Sequence, residues 1–428
     1  MVRRLYSLAW WLAVPLILAR LWWRGRQEPG YRQHIAERFG LAPRRTRTAP
    51  LLWLHAVSVG ETRAAEPLID ALLLAYPGHD LLLTHMTPTG RATGADLFGH
   101  YGARLQQAYL PYDTGTMVGH FLDNFSPRIC ILMETELWPN VMACCTARGV
   151  PVVLVNARLS ERSLRKAQRL GKLIADAAAQ LTCVAAQTPD DATRIRSLGV
   201  RDVHVTGSIK FDVTPPPLAL QAGTQLRHQI GARPVLLCAS TRAGEELLLL
   251  DALARSDLPA EVLLLIVPRH PQRFNEVAML IAEHGLDMQR RSVVGAQAVD
   301  AKVLLGDTMG EMFTYFSAGD IAWIGGSLLP LGGQNLIEAC AVGKPVLLGP
   351  HTFNFALVSD EAIAAGAALR VADADTLLST AALLLRDEAL RTAMGERALQ
   401  FAQQHRGATR RTMAVVAAVM PDDALNRR

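Results

Sequence analysis

The chain has no GxxxxGK(S/T) run, no GxGxxG and no HExxH, which disfavours a P-loop ATPase, a standard dinucleotide enzyme and a zinc protease. It has only six cysteines, Cys130, Cys144, Cys145, Cys183, Cys238 and Cys340, and none is spaced as CxxC. They lie mostly in apolar segments and read as reduced core residues of a cytoplasmic compartment rather than a disulfide framework. His55, His85, His270 and His351 show no ligand spacing, so no metal is expected. The DxD pair Asp373 and Asp375 precedes a helical run and reads as a helix cap. Net charge is a modest +5, and part of it sits in Arg3, Arg4, Arg20, Arg24, Arg26, Arg32, Arg44, Arg45 and Arg47. That distribution suits an anionic membrane surface and not a nucleic-acid groove.

Against these absences stands one long apolar run near the start, LYSLAWWLAVPLILARLWW at residues 5–23. It is about the minimum length that crosses a bilayer, and Pro15 and Arg20 interrupt it. Trp10, Trp11, Trp22 and Trp23 are placed like interfacial anchors, and more arginines follow the run than precede it, which puts the bulk of the protein on the cytoplasmic side. A signal peptide is the rival reading, but no small-x-small cleavage site follows. Residues 1–30 are therefore assigned to a membrane anchor, spanning or interfacial.

With 428 residues, the chain exceeds the ~250 to 300 at which one core splits in two. From residue 50 onward short apolar runs alternate with helical patterns, which implies α/β architecture with parallel sheets wrapped by helices. Strands are expected at residues 51–55, 80–84, 105–110, 128–133, 152–155, 181–185 and 203–206, with a helix over 61–75. A second series follows at 235–239, 262–267, 302–305, 321–324 and 345–348. Between the two series, Pro215, Pro216 and Pro217 form a stiff connector. The expected domains are 31–212, a linker at 213–218, and 219–428, with the last helices bracing the first domain.

Function in such sheets gathers at the C-terminal ends of strands. In the second half, residues 324–349 read as strand, glycine turn, helix and strand, with the helix over 335–342 and Gly343 at a positive-φ stop. Gly332 and Gly333 let the backbone approach a ligand, and Glu338, one turn inside the helix, has a carboxylate suited to a ribose diol. Together they suggest a nucleotide, with an ordinary βα loop as the alternative. Arg269 ends another strand and suits phosphate, and the loop around Gly310 precedes a further helix. In the first half Glu61 opens a helix, where the positive helix end should favour its ionised form. It is either a general base or simply a cap. Glu134 and Glu136 follow the strand ending at Met133, and Lys210 ends the last strand of the series.

Read together, HAVSVGE, METELWPN, NARLSERS, GSIKFD, VPRHPQRF, GDTMGEM and GGQNLIEA through GPHTFNF resemble the 3-deoxy-D-manno-octulosonic acid (Kdo) transferases, over nearly the whole chain beyond the anchor. The resemblance implies two Rossmann-like domains of GT-B architecture. It also implies an inverting, metal-independent enzyme that moves Kdo from CMP-Kdo to a lipid A precursor at the inner membrane, with no cofactor. By the same resemblance Glu61 is the proton acceptor, and Glu134 and Lys210 act on the transition state. CMP contacts carry over to Pro268, Arg269, Met309, Gly310, Glu311, Asn335, Leu336, Ile337 and Glu338. The sequence departs from the family's pattern at Arg242 and Gln334, where histidines are usual, and at Cys340, where the family has alanine. The competing readings are a nucleotide-sugar epimerase or hydrolase of the same architecture, and a membrane-attached nucleotide-binding protein without catalysis.

Overall fold

A computed structural model describes residues 2–26 and 28–420. The parts of the expected anchor and second domain that fall on residues 1, 27 and 421–428 lie outside them. Residues up to Asp212, together with those from Arg406 onward, form one compact unit, and Val213–His405 form the other.

The first unit is built on a seven-stranded sheet, with every pairing parallel. Its strands are β1 (Leu51–His55), β2 (Asp80–His85), β3 (Leu105–Tyr109), β4 (Ile129–Met133), β5 (Val152–Ala157), β6 (Cys183–Ala186) and β7 (Val203–Val205), in the order β3-β2-β1-β4-β5-β6-β7. Central strands such as LLWLH and ICILM are buried at every position, as strands covered on both faces must be. Alternate residues then feed two cores. Leu51, Trp53, Cys130 and Leu132 pack on one face, and Leu52, Leu54, Ile129 and Ile131 on the other. The chain leaves β1 for β2 and β3 on one side and returns with β4 on the other, so the switch point lies between β1 and β4.

The second unit repeats the plan. Its strands are β8 (Val235–Thr241), β9 (Leu263–Pro268), β10 (Met288–Arg290), β11 (Val303–Leu305), β12 (Ile321–Ile324), β13 (Val346–Leu348) and β14 (Ala368–Arg370), in the order β10-β11-β9-β8-β12-β13-β14. All pairings are parallel, and the switch point lies between β8 and β12. The sequence reading missed β10 and β14. Both are three-residue edge strands with no fully apolar run.

Three local expectations need correction. The helix expected over 61–75 is two helices, Val59–Ala64 and Glu66–Ala75, because Pro67 lacks an N–H and its ring crowds the carbonyl four residues back. Pro217 does not extend the connector: it opens the helix Pro217–Ile230, where a missing N–H costs nothing. The helix expected over 335–342 shrinks to Ile337–Ala341, since the Asn335 side chain takes the Ile337 N–H at 3.1 Å and holds the preceding residues in a turn.

The closing helix Ala408–Val419 packs in the first unit, with Ala408, Val415 and Val416 buried in its core. The Asp212 carboxylate accepts from the Gly407 and Thr409 amides, and the Arg411 side chain donates to the Thr206 carbonyl at 2.8 Å.

Helix Val2–Arg24 is long and apolar enough to cross a membrane. It nevertheless lies with one side against the first unit. Trp10 stacks on Tyr112 with ring centroids 5.7 Å apart, Ser7 meets the Asn140 amide at 3.0 Å, and Leu21 is buried. Leu5, Leu8, Leu12 and Leu16, spaced at three and four residues, form an exposed stripe on another side, Leu12 and Leu16 being 71% and 74% exposed.

Candidate active site

In the first unit the switch-point geometry collects acidic side chains. The tight loop after β1 leads into Val59–Ala64, and Glu61 in its first turn folds back to accept from the Val57 N–H at 2.7 Å and the Ser58 hydroxyl at 3.4 Å. Burial, followed by repulsion from Glu134 and Glu136 and opposed by those hydrogen bonds, raises its pKa from 4.5 to about 7. The helix end was expected to favour the ionised form, but the group is poised between its two forms near neutral pH, because desolvation outweighs the helix end.

Glu134 is the first residue after β4 and has φ of 59°, a left-handed backbone unusual for glutamate. Its carboxylate meets the Lys210 ammonium at 2.9 Å. Lys210 does not end a strand, as expected, but lies in the 3-10 turn Ile209–Phe211, beyond the edge strand β7, so the chain after β7 must double back over the strand ends to deliver it. Asn156, the penultimate residue of β5, holds that return. Its Oδ1 accepts from the Ile209 N–H at 3.2 Å, it is fully buried, and its own φ is 51°. Glu136 stands beside Glu134, its pKa raised by burial and then by the Glu134 charge. The structure thus groups Glu61, Glu134, Glu136 and Lys210 along one edge of one sheet.

In the second unit the residues expected to hold a nucleotide follow neighbouring strands. Pro268 closes β9, and the Arg269 N–H donates to Thr241 of β8 at 2.9 Å. Met309, Gly310 and Glu311 follow β11, with Gly310 at φ of 80° and Glu311 held by Arg291 at 3.1 Å and by Thr308. Asn335, Leu336, Ile337 and Glu338 follow β12. Leu336 and Ile337 are buried, so only their backbone is left for a ligand, and Glu338, in the first turn of its helix and not one turn inside, accepts from Asn335 at 3.1 Å.

Glu245 was not foreseen in the sequence. It is completely buried and accepts from the N–H groups of Arg242, Gly326 and Leu328 at 2.9, 2.6 and 3.0 Å, tying the loop after β8 to the loop after β12. Gly325 makes that close approach feasible, since a Cβ there would lie 2.5 Å from the Ser240 carbonyl oxygen.

The family model described as 3-Deoxy-D-manno-octulosonic-acid transferase (kdotransferase) matches residues 33–213. The chain is 48% identical to the 3-deoxy-D-manno-octulosonic acid transferase of Bordetella pertussis, over 96% of this chain and 98% of that protein. The chain belongs to the Kdo transferase family. It is a glycosyltransferase of lipopolysaccharide biosynthesis. The Kdo transferase of Haemophilus influenzae is 36% identical, over 96% of this chain and 97% of that protein. Among solved structures, Anabaena Alr3699/HepE in complex with UDP aligns with a TM-score of 0.58 at 15% identity, covering 86% of this chain and 100% of that one. That likeness shows the fold, two Rossmann-like units of GT-B type.

Two departures from the Kdo transferase pattern fall at one place. A Cβ on Gly326 would come within 3.2 Å of the Gln334 side chain and 3.5 Å of that of Arg242, so both altered positions border the same glycine. Cys340 is buried, and burial pushes its thiol up to about 12, so it packs as a small apolar residue. Asn156 and Glu245 escaped the sequence reading because each acts by holding backbone amides from distant loops. Only Asn156, inside NARLSERS, stood in a quoted motif.

Proposed function

We propose that this Kdo transferase moves Kdo from CMP-Kdo to a hydroxyl of lipid A precursor, with inversion at the anomeric carbon and without a metal. The observation that carries the reading is Glu61, at the β1/β4 switch point beside the Glu134–Lys210 pair, with a pKa of about 7. A base works best when its pKa lies near the working pH.

In this reading Glu61 takes the proton of the acceptor hydroxyl as its oxygen bonds to the anomeric carbon. The bond from that carbon to the CMP phosphate breaks, and its electrons leave with the phosphate. Positive charge growing on the sugar ring is balanced by Glu134, which Lys210 holds in place. Negative charge growing on the phosphate is met by Arg269 and by backbone N–H groups near Gly310 and Asn335, fixed before the reaction starts. Pro268, Met309, Glu311, Leu336, Ile337 and Glu338 complete the nucleotide contacts, and Glu338 serves the ribose. Helix Val2–Arg24 holds the enzyme at the cytoplasmic face of the inner membrane, where its lipid acceptor resides.

The test uses purified full-length protein with CMP-Kdo and lipid A precursor. Glu61→Ala should abolish transfer while CMP-Kdo binding, measured by calorimetry, survives. Unchanged turnover in that variant rejects the assignment.

A further inference from the structure

The first unit holds a cavity of about 300 Å³ that begins at Glu134. Its lining is divided by chemistry. Thr135, Arg158, Ser163 and Lys166 join Glu134 as the polar members, and these come from the C-terminal ends of β4 and β5 and from helix Glu161–Arg169. The rest is aliphatic and includes Leu154, Leu159, Ile174, Leu181, Ile195 and Val200. Leu181 and Val200 precede β6 and β7, so they stand at the opposite edge of the sheet. The cavity therefore runs along the strands, from a polar mouth lined by Glu134, Arg158 and Lys166 to an apolar floor at Leu181 and Val200.

Protein interiors hold few voids larger than a water molecule, and a space of this volume falls at the low end of the ~300 to 1,000 Å³ range of ligand pockets. An apolar space stays dry and accepts apolar guests. Its position adds a source for the guest. Helix Lys172–Ala178 contributes Ile174 and Ala178 to the cavity, while its Leu173 and Ala177 line a groove against Val2, Arg3 and Arg4. One short helix thus separates the cavity from the helix that carries the exposed leucine stripe.

We propose that this cavity seats one acyl chain of a phosphorylated, acylated acceptor, drawn from the adjoining bilayer. Arg158 and Lys166 at the mouth meet the anionic headgroup, Ser163 and Thr135 meet sugar hydroxyls, and the buried chain sets which part of the headgroup arrives at Glu134. The inference rests on the lipid-acceptor reading given above. It adds a measuring pocket that makes the enzyme select acylated acceptors over the bare phosphorylated disaccharide.

The test compares kcat/KM for tetra-acylated lipid A precursor with that for the fully deacylated phosphorylated disaccharide. Ala167→Phe, which fills the cavity from its half-buried rim, should lower the acylated-to-deacylated ratio by about tenfold or more, mainly through KM for the acylated acceptor. Gln168→Phe, on an exposed neighbouring position, should keep the wild-type ratio. A wild-type ratio in folded Ala167→Phe overturns the proposal, as does an equal fall in Gln168→Phe. A photoreactive acyl chain on the precursor should label wild-type peptides that contain Ile174 or Ile195, and labelling confined to other peptides also overturns it. Absence of any transfer by the wild-type enzyme would instead refute the lipid-acceptor reading itself, while labelling still reports on the cavity.

Discussion

Replacing Glu61 by glutamine separates the two readings of this residue, base and helix cap, because they predict opposite changes in stability. In the folded protein its pKa is about 7 against an ordinary 4.5. Below pH 4.5 the group is protonated both folded and unfolded, and it costs nothing. Between 4.5 and 7 the folded state keeps a proton that the unfolded state has released, so stability falls as pH rises, and above 7 the full penalty persists. A shift of that size corresponds to about 3 kcal/mol, and solvent at the sheet edge reduces it to about 1 to 3. Glutamine keeps an oxygen for the Val57 N–H and carries no charge. Glu61→Gln should therefore match wild type near pH 4.5 and exceed it at pH 8 by about 1 to 3 kcal/mol, a Tm gain of several degrees. Its transfer rate should fall by about 10² to 10⁴, whereas wild-type kcat/KM should rise about tenfold from pH 6 to pH 8 as the carboxylate ionises. Thermal unfolding and initial rates across that range provide both readouts. A variant less stable than wild type at pH 8 would show that the carboxylate is chiefly a cap, and a pH limb near 7 that survives the substitution would assign the titration to another group.

Asn156→Ala removes the acceptor for Ile209 and forces alanine to φ of 51°, so chemical denaturation should show a loss of about 1 to 3 kcal/mol, and kcat should fall as Lys210 loses its place at Glu134. Glu245→Ala strands three N–H groups at the β8/β12 switch point. It should cost about 2 to 4 kcal/mol and weaken CMP binding in calorimetry, and wild-type affinity would show that the loop tie is irrelevant to the nucleotide. Leu12→Asp, in the exposed stripe of helix Val2–Arg24, should leave the fold intact and reduce flotation with vesicles containing anionic lipid, because under the proposed anchoring a charge replaces a leucine at the interface. Undiminished flotation would place the membrane contact elsewhere.

Much of the fold was legible in the sequence because strands buried on both faces leave an unbroken apolar run, as in LLWLH and ICILM. The run fails where a strand is short and half wet, as at Met288–Arg290 and Ala368–Arg370. It also fails where a local hydrogen bond competes with the helix, as Asn335 does ahead of Ile337. The individual candidates Glu61, Glu134 and Lys210 were visible from their places just past predicted strands, and as members of the resembling motifs. Their grouping was not visible, since Lys210 reaches Glu134 only because the chain after β7 turns back and Asn156 holds it there.

The sequence by itself determined that two parallel sheets form, that acidic and cationic groups stand at their C-terminal edges, and which family's motifs they compose. These follow from periodicity and residue type, which act between near neighbours. The tertiary structure alone decided that Glu61 sits near neutral pKa, that Glu245 ties two loops together, and that an aliphatic cavity ends at Glu134. Desolvation, enclosure and contact between distant segments are properties of the packed chain, and no single stretch of it contains them.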